Sequence, residues 1–292
     1  MTSTSFTMKL LQVNFTLDSG TFDGTNNTKQ ILGLRAECEI DKSGQPAKNK
    51  MKLKVYGMNQ ADMKALTTIP SQANKPLAVH HNKVQVMAGD INGMTVAFEG
   101  EITEAYSNYH QPPNLYFSVE AIAGFYPSIS PAKPTSYKGA VAVSTLMSNL
   151  ANQMGYQFEN AGVTAQLSNP YLPGTAFSQA ASVATAANIE WGVDDGKLYI
   201  SPLGQPRAGT APLISKDTGL DEYPTFDKKG LKFSCLYNPG LKLGGLCVVQ
   251  SAIDVACGTW KINTLKHSLS TLSPGGKWLS KVEASYIGGD VT

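Results

Sequence analysis

Leu32-Gly-Leu-Arg-Ala-Glu-Cys-Glu-Ile40, answered after a turn by Met51-Lys-Leu-Lys-Val55, decides the fold class. In the first stretch Leu32, Leu34, Ala36, Cys38 and Ile40 alternate with Gly33, Arg35, Glu37 and Glu39. In the second, Met51, Leu53 and Val55 alternate with Lys52 and Lys54. A period of two buries one face and wets the other, which describes a strand and not a helix. Gly44-Gln45-Pro46 supplies turn chemistry between them, so residues 32–56 read as a hairpin with a lysine-decorated tip. Working outward, Leu11, Val13, Phe15 and Leu17 precede the hairpin on the same rule. Val84/Val86/Ala88, Val96/Phe98 with Ile102, and Phe117/Val119/Ala121/Ala123 follow it. Asn59 reads as the N-cap of a short helix holding Met63 and Leu66. About six or seven strands in residues 8–124 are enough to close a small barrel or fold a sandwich.

The period then changes. Pro127, Pro131 and Pro134 with Ser128 and Ser130 predict an extended linker. Beyond it Val143, Leu146, Met147, Leu150 and Met154 fall on one helical face, with Gly155 at the position of a C-terminal cap. A second helix over 176–187 is rich in Ala and Ser, and Asn188 ends it. Segments 189–193 and 197–201 around Asp194-Asp195-Gly196 predict a tight hairpin, with Trp191 on one face. A proline-rich loop, 204–212, leads back to strands at Phe233/Cys235/Tyr237, 241–250, 259–269 and 277–287. The last two are joined by Leu272-Ser-Pro-Gly-Gly276. The layout predicted is mainly β with a small α+β part: a β domain over 1–126, a domain of two helices and a β-hairpin over 127–204, and a second β domain over 205–292. No sequence repeat links the two β domains.

The 24 Lys and Arg nearly balance 22 Asp and Glu, giving a net charge of +2, and charged residues make up only 16% of the chain. An ordinary soluble domain carries roughly 25%. That balance excludes a protein that wraps a polyanion by bulk charge. No apolar run approaches the ~18 residues of a membrane span; even 241–257 is broken by Lys242, Gln250, Ser251 and Asp254. The opening Met-Thr-Ser-Thr-Ser-Phe-Thr has neither a basic nor an apolar region, so no secretory signal is expected. Cys38, Cys235, Cys247 and Cys257 lack metal-ligand spacing and read as small buried hydrophobes.

Catalytic patterns do not assemble. His80 and His81 fall in a loop, His110 in a turn, and His267 within a strand, and no Gly-x-Ser-x-Gly elbow offers a nucleophile. Glu99 and Glu101 occupy the polar phase of a strand, near Glu104. Asp194-Asp195-Gly196 is turn chemistry before it is a carboxylate pair, and Asp221-Glu222 is merely adjacent. No phosphate-cradling loop is present. Lys42, Lys48, Lys50, Lys52 and Lys54 read as a solvated strand face, and Trp191, Trp260 and Trp278 as core. The expectation is that no residue serves as a catalytic, cofactor-binding or metal site, that no cofactor is used, and that the protein is not an enzyme.

The chain resembles the baseplate hub, or tail-tip hub, subunits of tailed bacteriophages, a superfamily that includes the hub part of type VI secretion spike proteins. The resemblance is carried by Lys54-Val-Tyr-Gly-Met-Asn-Gln-Ala-Asp-Met-Lys-Ala-Leu-Thr-Thr68, Pro134-Thr-Ser-Tyr-Lys-Gly139, Ala186-Ala-Asn-Ile-Glu-Trp191, and Trp260-Lys-Ile-Asn-Thr-Leu-Lys-His-Ser-Leu269 with Pro274-Gly-Gly-Lys-Trp278. It implies two tail-tube-like β barrels flanking the α+β domain, the second short of strands unless 127–134 or 213–225 help complete it. It also implies a homotrimeric ring that adapts a sixfold tail tube to a threefold central spike and leaves a channel through which DNA passes without specific binding. Tube, spike, tape-measure and other baseplate proteins are the implied partners. The implied location is the virion, after assembly in the host cytoplasm. Two other readings stand beside it: a tail-tip protein with lysozyme or peptidase activity, against which the expectation is that no fused lytic module is present, and a carbohydrate-binding adhesin, which needs an exposed Trp/Tyr platform.

Overall fold

Alternating side chains dominate this chain, with strands taking 47% of the described residues and helices 16%. The computed structural model describes residues 7–68, 81–110, 112–228 and 230–287. They group into two units. One draws on the chain up to Ile40, Lys50–Ile122 and His267–Leu279; the other on Asp41–Asn49, Ala123–Lys266 and the chain from Ser280 on.

The first unit contains β1 (Leu10–Thr16), β2 (Thr28–Leu32), most of β3 (Ala36–Ser43), β4 (Lys50–Tyr56), α1 (Gln60–Leu66), β5 (Lys83–Asp90), β6 (Gly93–Asn108) and β7 (Tyr116–Ile122). Its strand order is β3-β4-β7-β6-β5-β1-β2. Register sets apolar residues opposite one another: Val13 faces Val86 and Phe15 faces Val84, while Leu53 faces Val119 and Val55 faces Phe117. All eight are buried to the last few percent. Among the described residues β2 pairs only with β1, so the path ends there. Asn59 caps α1 as expected, its side chain accepting from the Asp62 N–H at 3.0 Å.

Three details differ from the sequence reading. Residues 32–40 are not one strand: Gly33 takes φ +79° and turns the chain between β2 and β3, leaving Leu32 50% exposed. Two register shifts interrupt β6, one opposite Val86/Met87 and one between Ile102 and Glu104; between them the register is regular, yet Gly100, Glu101 and Ile102 are all buried. Glu101 keeps the phase of Glu99 but is buried, so that face of β6 is covered there and not wet. Lys42 is likewise not part of a solvated face. It is 2% exposed, while Lys50, Lys52 and Lys54 keep to the wet phase of β4.

In the second unit the proline stretch is not all extended: α2 (Phe125–Ile129) takes in Pro127, whose missing N–H falls in the first turn where no intrahelical partner is needed. Then follow β8 (Thr135–Ser136), β9 (Ala140–Ala142), α3 (Val143–Met154), β10 (Gln157–Asn160), β11 (Gln166–Ser168), β12 (Tyr171–Leu172), α4 (Ala176–Ala187), β13 (Ile189–Asp194) and β14 (Lys197–Pro202). The apolar stripe of α3 is buried and Gly155 ends it at φ +78°, as Asn188 ends α4 at φ +50°. β13 and β14 form the predicted hairpin, and β10 adds to β14 in parallel.

The unit also holds β15 (Leu213–Ile214), β16 (Thr225–Asp227), β17 (Gly230–Leu236), β18 (Leu246–Val249), β19 (Gly258–Thr271) and β20 (Trp278–Tyr286), the last two giving residues to both units. β17, β20 and β19 lie side by side, with β16 on β17, β18 on β19 and β15 on β18, so the 213–225 stretch does contribute strands. Leu231, Phe233, Cys247, Trp260, Ile262 and Val282 are the heart of its core. The strand expected over 241–250 is reduced to β18: Gly244 at φ +74° bends the chain, and Leu241 and Leu243 are buried from a loop instead.

Candidate functional site: a buried ionic cluster and the cleft beside it

The turn between β13 and β14 forces Asp195 to φ +49° and Gly196 to φ +77°, which is the turn role the sequence assigns them. That turn also carries charge into the interior of the second unit. Lys42 Nζ lies 2.9 Å from Asp194 Oδ1 and 2.6 Å from Asp195 Oδ1. Arg207 Nη1 donates to Asp194 Oδ2 at 2.9 Å and to the Leu243 carbonyl at 3.1 Å. Its Nε and Nη2 clasp the two oxygens of Glu159 at 3.0 and 3.1 Å. Asn49 Nδ2 completes Asp194 by donating to Oδ1 at 3.1 Å and to the Val193 carbonyl at 3.0 Å. The Arg207 guanidinium lies 4.1 Å from the centre of the Tyr199 ring. Residues from the end of β3, the loop after it and the 204–212 loop thus meet on the Asp194 carboxylate, and Glu159 of β10 is tied in through Arg207.

Three carboxylates share two cations, so one negative charge has no partner of its own. Burial opposes ionisation of Asp194, but Lys42 and Arg207 outweigh it and hold its pKa below the ordinary carboxylate range. Burial likewise opposes the Lys42 charge and is overridden by Asp194 and Asp195, which raise its pKa. Arg207 holds Glu159 low against the same burial cost. Asp195 is the group left over: burial and the neighbouring Asp194 carboxylate push its pKa up to about 7, with Lys42 opposing.

Next to this cluster lies a cleft of about 660 Å³, lined by α4 from Ala181 to Asn188, by Glu190 and Trp191, by Tyr199, and by Leu243, Lys261 and Asn263. Lys261 Nζ donates to both Glu190 oxygens at 2.9 and 2.7 Å. Gly192 has no side chain because the Tyr199 ring crosses it; a Cβ there would fall 2.8 Å from the phenol oxygen.

The other singled-out residues do not join this site. His81 and His110 are exposed and His267 is buried in β19, while His80 lies outside the described residues. Glu99 accepts from Gln85 at 2.9 Å within a row of side-chain amides that continues through Asn14 to Gln12. Trp260 is core, its Nε1 donating to the Ala256 carbonyl at 3.0 Å. Cys38, Cys235 and Cys247 are buried and unpaired, and burial raises each thiol's pKa; Cys257 is half-buried. Among the described residues no group of three or more His, Cys, Asp or Glu is placed to hold a metal ion, and no helix is long and apolar enough to cross a membrane. The sequence reading missed Asn49, Glu159 and, at the centre of the cluster, Arg207. The one signal for Arg207 is rarity, as one of only two arginines in the chain.

Comparison with known proteins gives these arrangements a context. The family model described as baseplate hub gp41 matches residues 10–273. Among solved structures, the tail protein from Neisseria meningitidis MC58 is similar at a TM-score of 0.64 and 11% identity, covering 95% of this chain and 97% of that one. The 43 kDa tail protein of prophage MuSo2 from Shewanella oneidensis is similar at 0.60 and 9% identity, over 94% and 96%. The E. coli c3393 protein, a type VI secretion component with structural similarity to the T4 tail proteins gp27 and gp5, reaches 0.54 at 9% identity, over 86% of this chain and 73% of that one. At these identities the likeness is one of fold. No curated protein matches the chain.

Proposed function

The chain belongs to the baseplate hub gp41 family of phage tail proteins, and from that premise we propose that it is the non-enzymatic hub of a phage tail, a trimeric ring joining a sixfold tail tube to a threefold spike. Membership makes it a baseplate component and so part of the virion. In the proposed ring, three subunits each offer two tube-like β domains, over 1–126 and 205–292, giving six similar surfaces toward the tube and three toward the spike. The 127–204 domain lies between the two β domains in sequence, and a central channel lets DNA pass. Tube, spike and tape-measure proteins are the partners, with assembly in the host cytoplasm.

The observation that carries this reading is a hub-family match over residues 10–273, which takes in the first β-rich part, the helical insert and the second part as far as the end of β19. A charged fraction of 16% supports it, since permanent interfaces deplete Lys, Glu and Asp. Light scattering after size exclusion is expected to give three times the subunit mass of 31.2 kDa, alone or on adding tube or spike protein. A strict monomer at micromolar concentration that binds neither overturns the reading. A peptidoglycan zymogram is expected to stay blank; a cleared band would make the protein a lytic tail-tip enzyme.

A further inference from the structure

The cleft beside β13 holds polar groups that the fold itself leaves unused. Trp191 and Tyr199 are only 7% and 4% exposed, yet neither the indole N–H nor the phenol O–H bonds to another described residue. Gln179 Oε1 is the one side-chain polar atom both sealed from solvent and without a partner among the described residues. Both aromatic tips are therefore open to solvent, and the cleft is the opening these two residues line. Indole and phenol groups buried to this degree ordinarily find a partner.

The chemistry of the walls narrows what that partner is. The Trp191 ring is covered by Phe177 at 4.9 Å between centroids, and the Tyr199 ring by the Arg207 guanidinium at 4.1 Å. With less than a tenth of each residue exposed, the cleft offers aromatic edges and not faces, which disfavours a stacked sugar or base. Its two charges, Glu190 and Lys261, neutralise each other at 2.7 Å, and Glu190 Oε1 also accepts from the Gly204 N–H. A charged ligand would find no counter-charge. What is left is single hydrogen-bonding tips, the amides of Asn188 and Asn263, and small apolar patches from Ala184 and Leu243. A main chain with uncharged side chains matches that set, because it alternates carbonyl acceptors with N–H donors, and the volume lies in the range of ordinary ligand pockets.

We propose that this cleft receives an extended, uncharged stretch of polypeptide from a neighbouring tail protein, the Trp191 indole donating to one of its carbonyls and the Tyr199 hydroxyl bonding the main chain. The proposal rests on the hub reading. An electron cryomicroscopy map of the assembled tail tests both separately. The expected result is main-chain density in the cleft, within hydrogen-bond distance of Trp191 Nε1 and Tyr199 Oη. A map with the subunit in place and the cleft empty, or filled by a glycan or nucleotide, overturns the proposal and leaves the hub reading standing. A tail without the subunit overturns both. A second arm uses the neighbour that the map identifies. Tyr199→Phe removes a hydroxyl the fold does not use, so its melting temperature should match the wild type while affinity for that neighbour drops roughly two- to tenfold, the effect of one hydrogen bond. Unchanged affinity overturns the contact.

Discussion

Lys42 and Arg207 show why a buried charge is informative. Each sits within 3 Å of Asp194, and each has a side chain only 2% exposed. Removing one cation leaves part of a buried carboxylate uncompensated, so Lys42→Met is expected to cost about 3–5 kcal/mol in urea unfolding. A cost below ~1 kcal/mol would mean the cluster is wet. Asp195 gives a pH signature. Its folded pKa, raised to about 7 from an ordinary 3.8, means the folded state keeps a proton that the unfolded chain releases between those values. Stability should therefore fall as pH rises from about 4 through 7 and level off above, with a slope of at most ~1.4 kcal/mol per pH unit from this group. The measurement is the difference between wild type and Asp195→Asn, which should lack this slope. Parallel profiles would place Asp195 in the ordinary range. The two arginines share a further trait: Arg35 pairs with Glu37 at 2.9 Å and lies over Tyr56, as Arg207 pairs with Glu159 and lies over Tyr199. A chain that otherwise uses lysine keeps its planar guanidinium groups for places where one cation must grip a carboxylate and cover a ring.

Among the elements, α4 depends on its ends. Thr175 accepts from the Ser178 N–H at 3.1 Å, and Asn188 closes the other end in the left-handed region. Thr175→Ala should cost about 1 kcal/mol by denaturant titration, and no loss would mean that packing alone holds the helix. Gly192→Ala on β13 should cost more, because its methyl group displaces the Tyr199 ring and, through it, Arg207. These elements are legible in sequence because their causes are local: a stripe such as Val143 to Met154, a capping residue, an Asp-Asp-Gly turn. Where the reading failed, the cause was distant or geometric. Lys42 looks like its neighbours Lys50 and Lys52 until Asp195, 153 positions away, is beside it. Glu101 keeps the polar phase of β6, opposite Lys83, and is buried all the same. Leu241 and Leu243 carry strand-like periodicity and satisfy it from a loop that Gly244 bends. The cleft was out of reach for the same reason, since its walls come from α4, the β13–β14 hairpin, the 243–244 loop and β19.

For the molecule as a whole, the near balance of 24 cationic against 22 anionic side chains constrains how a hub treats DNA. Affinity for a duplex scales with the number of phosphates neutralised, and each released counterion steepens the salt dependence. Many of the cations that would do this are already committed: Lys52 to Glu120, Lys232 to Asp227 and Glu283, Lys266 to Asp41, besides Lys42, Lys261 and Arg207. The proposed channel wall would then neither grip nor repel a passing duplex strongly. Gel-shift titration of the assembled ring with a short duplex should show no retention at physiological salt. At low salt, binding should be weak, and its logarithm should fall with log salt at a slope corresponding to few phosphate contacts. Submicromolar binding at physiological salt with a steep slope would mean that the +2 average conceals a segregated basic surface, and the protein would then hold DNA instead of letting it pass.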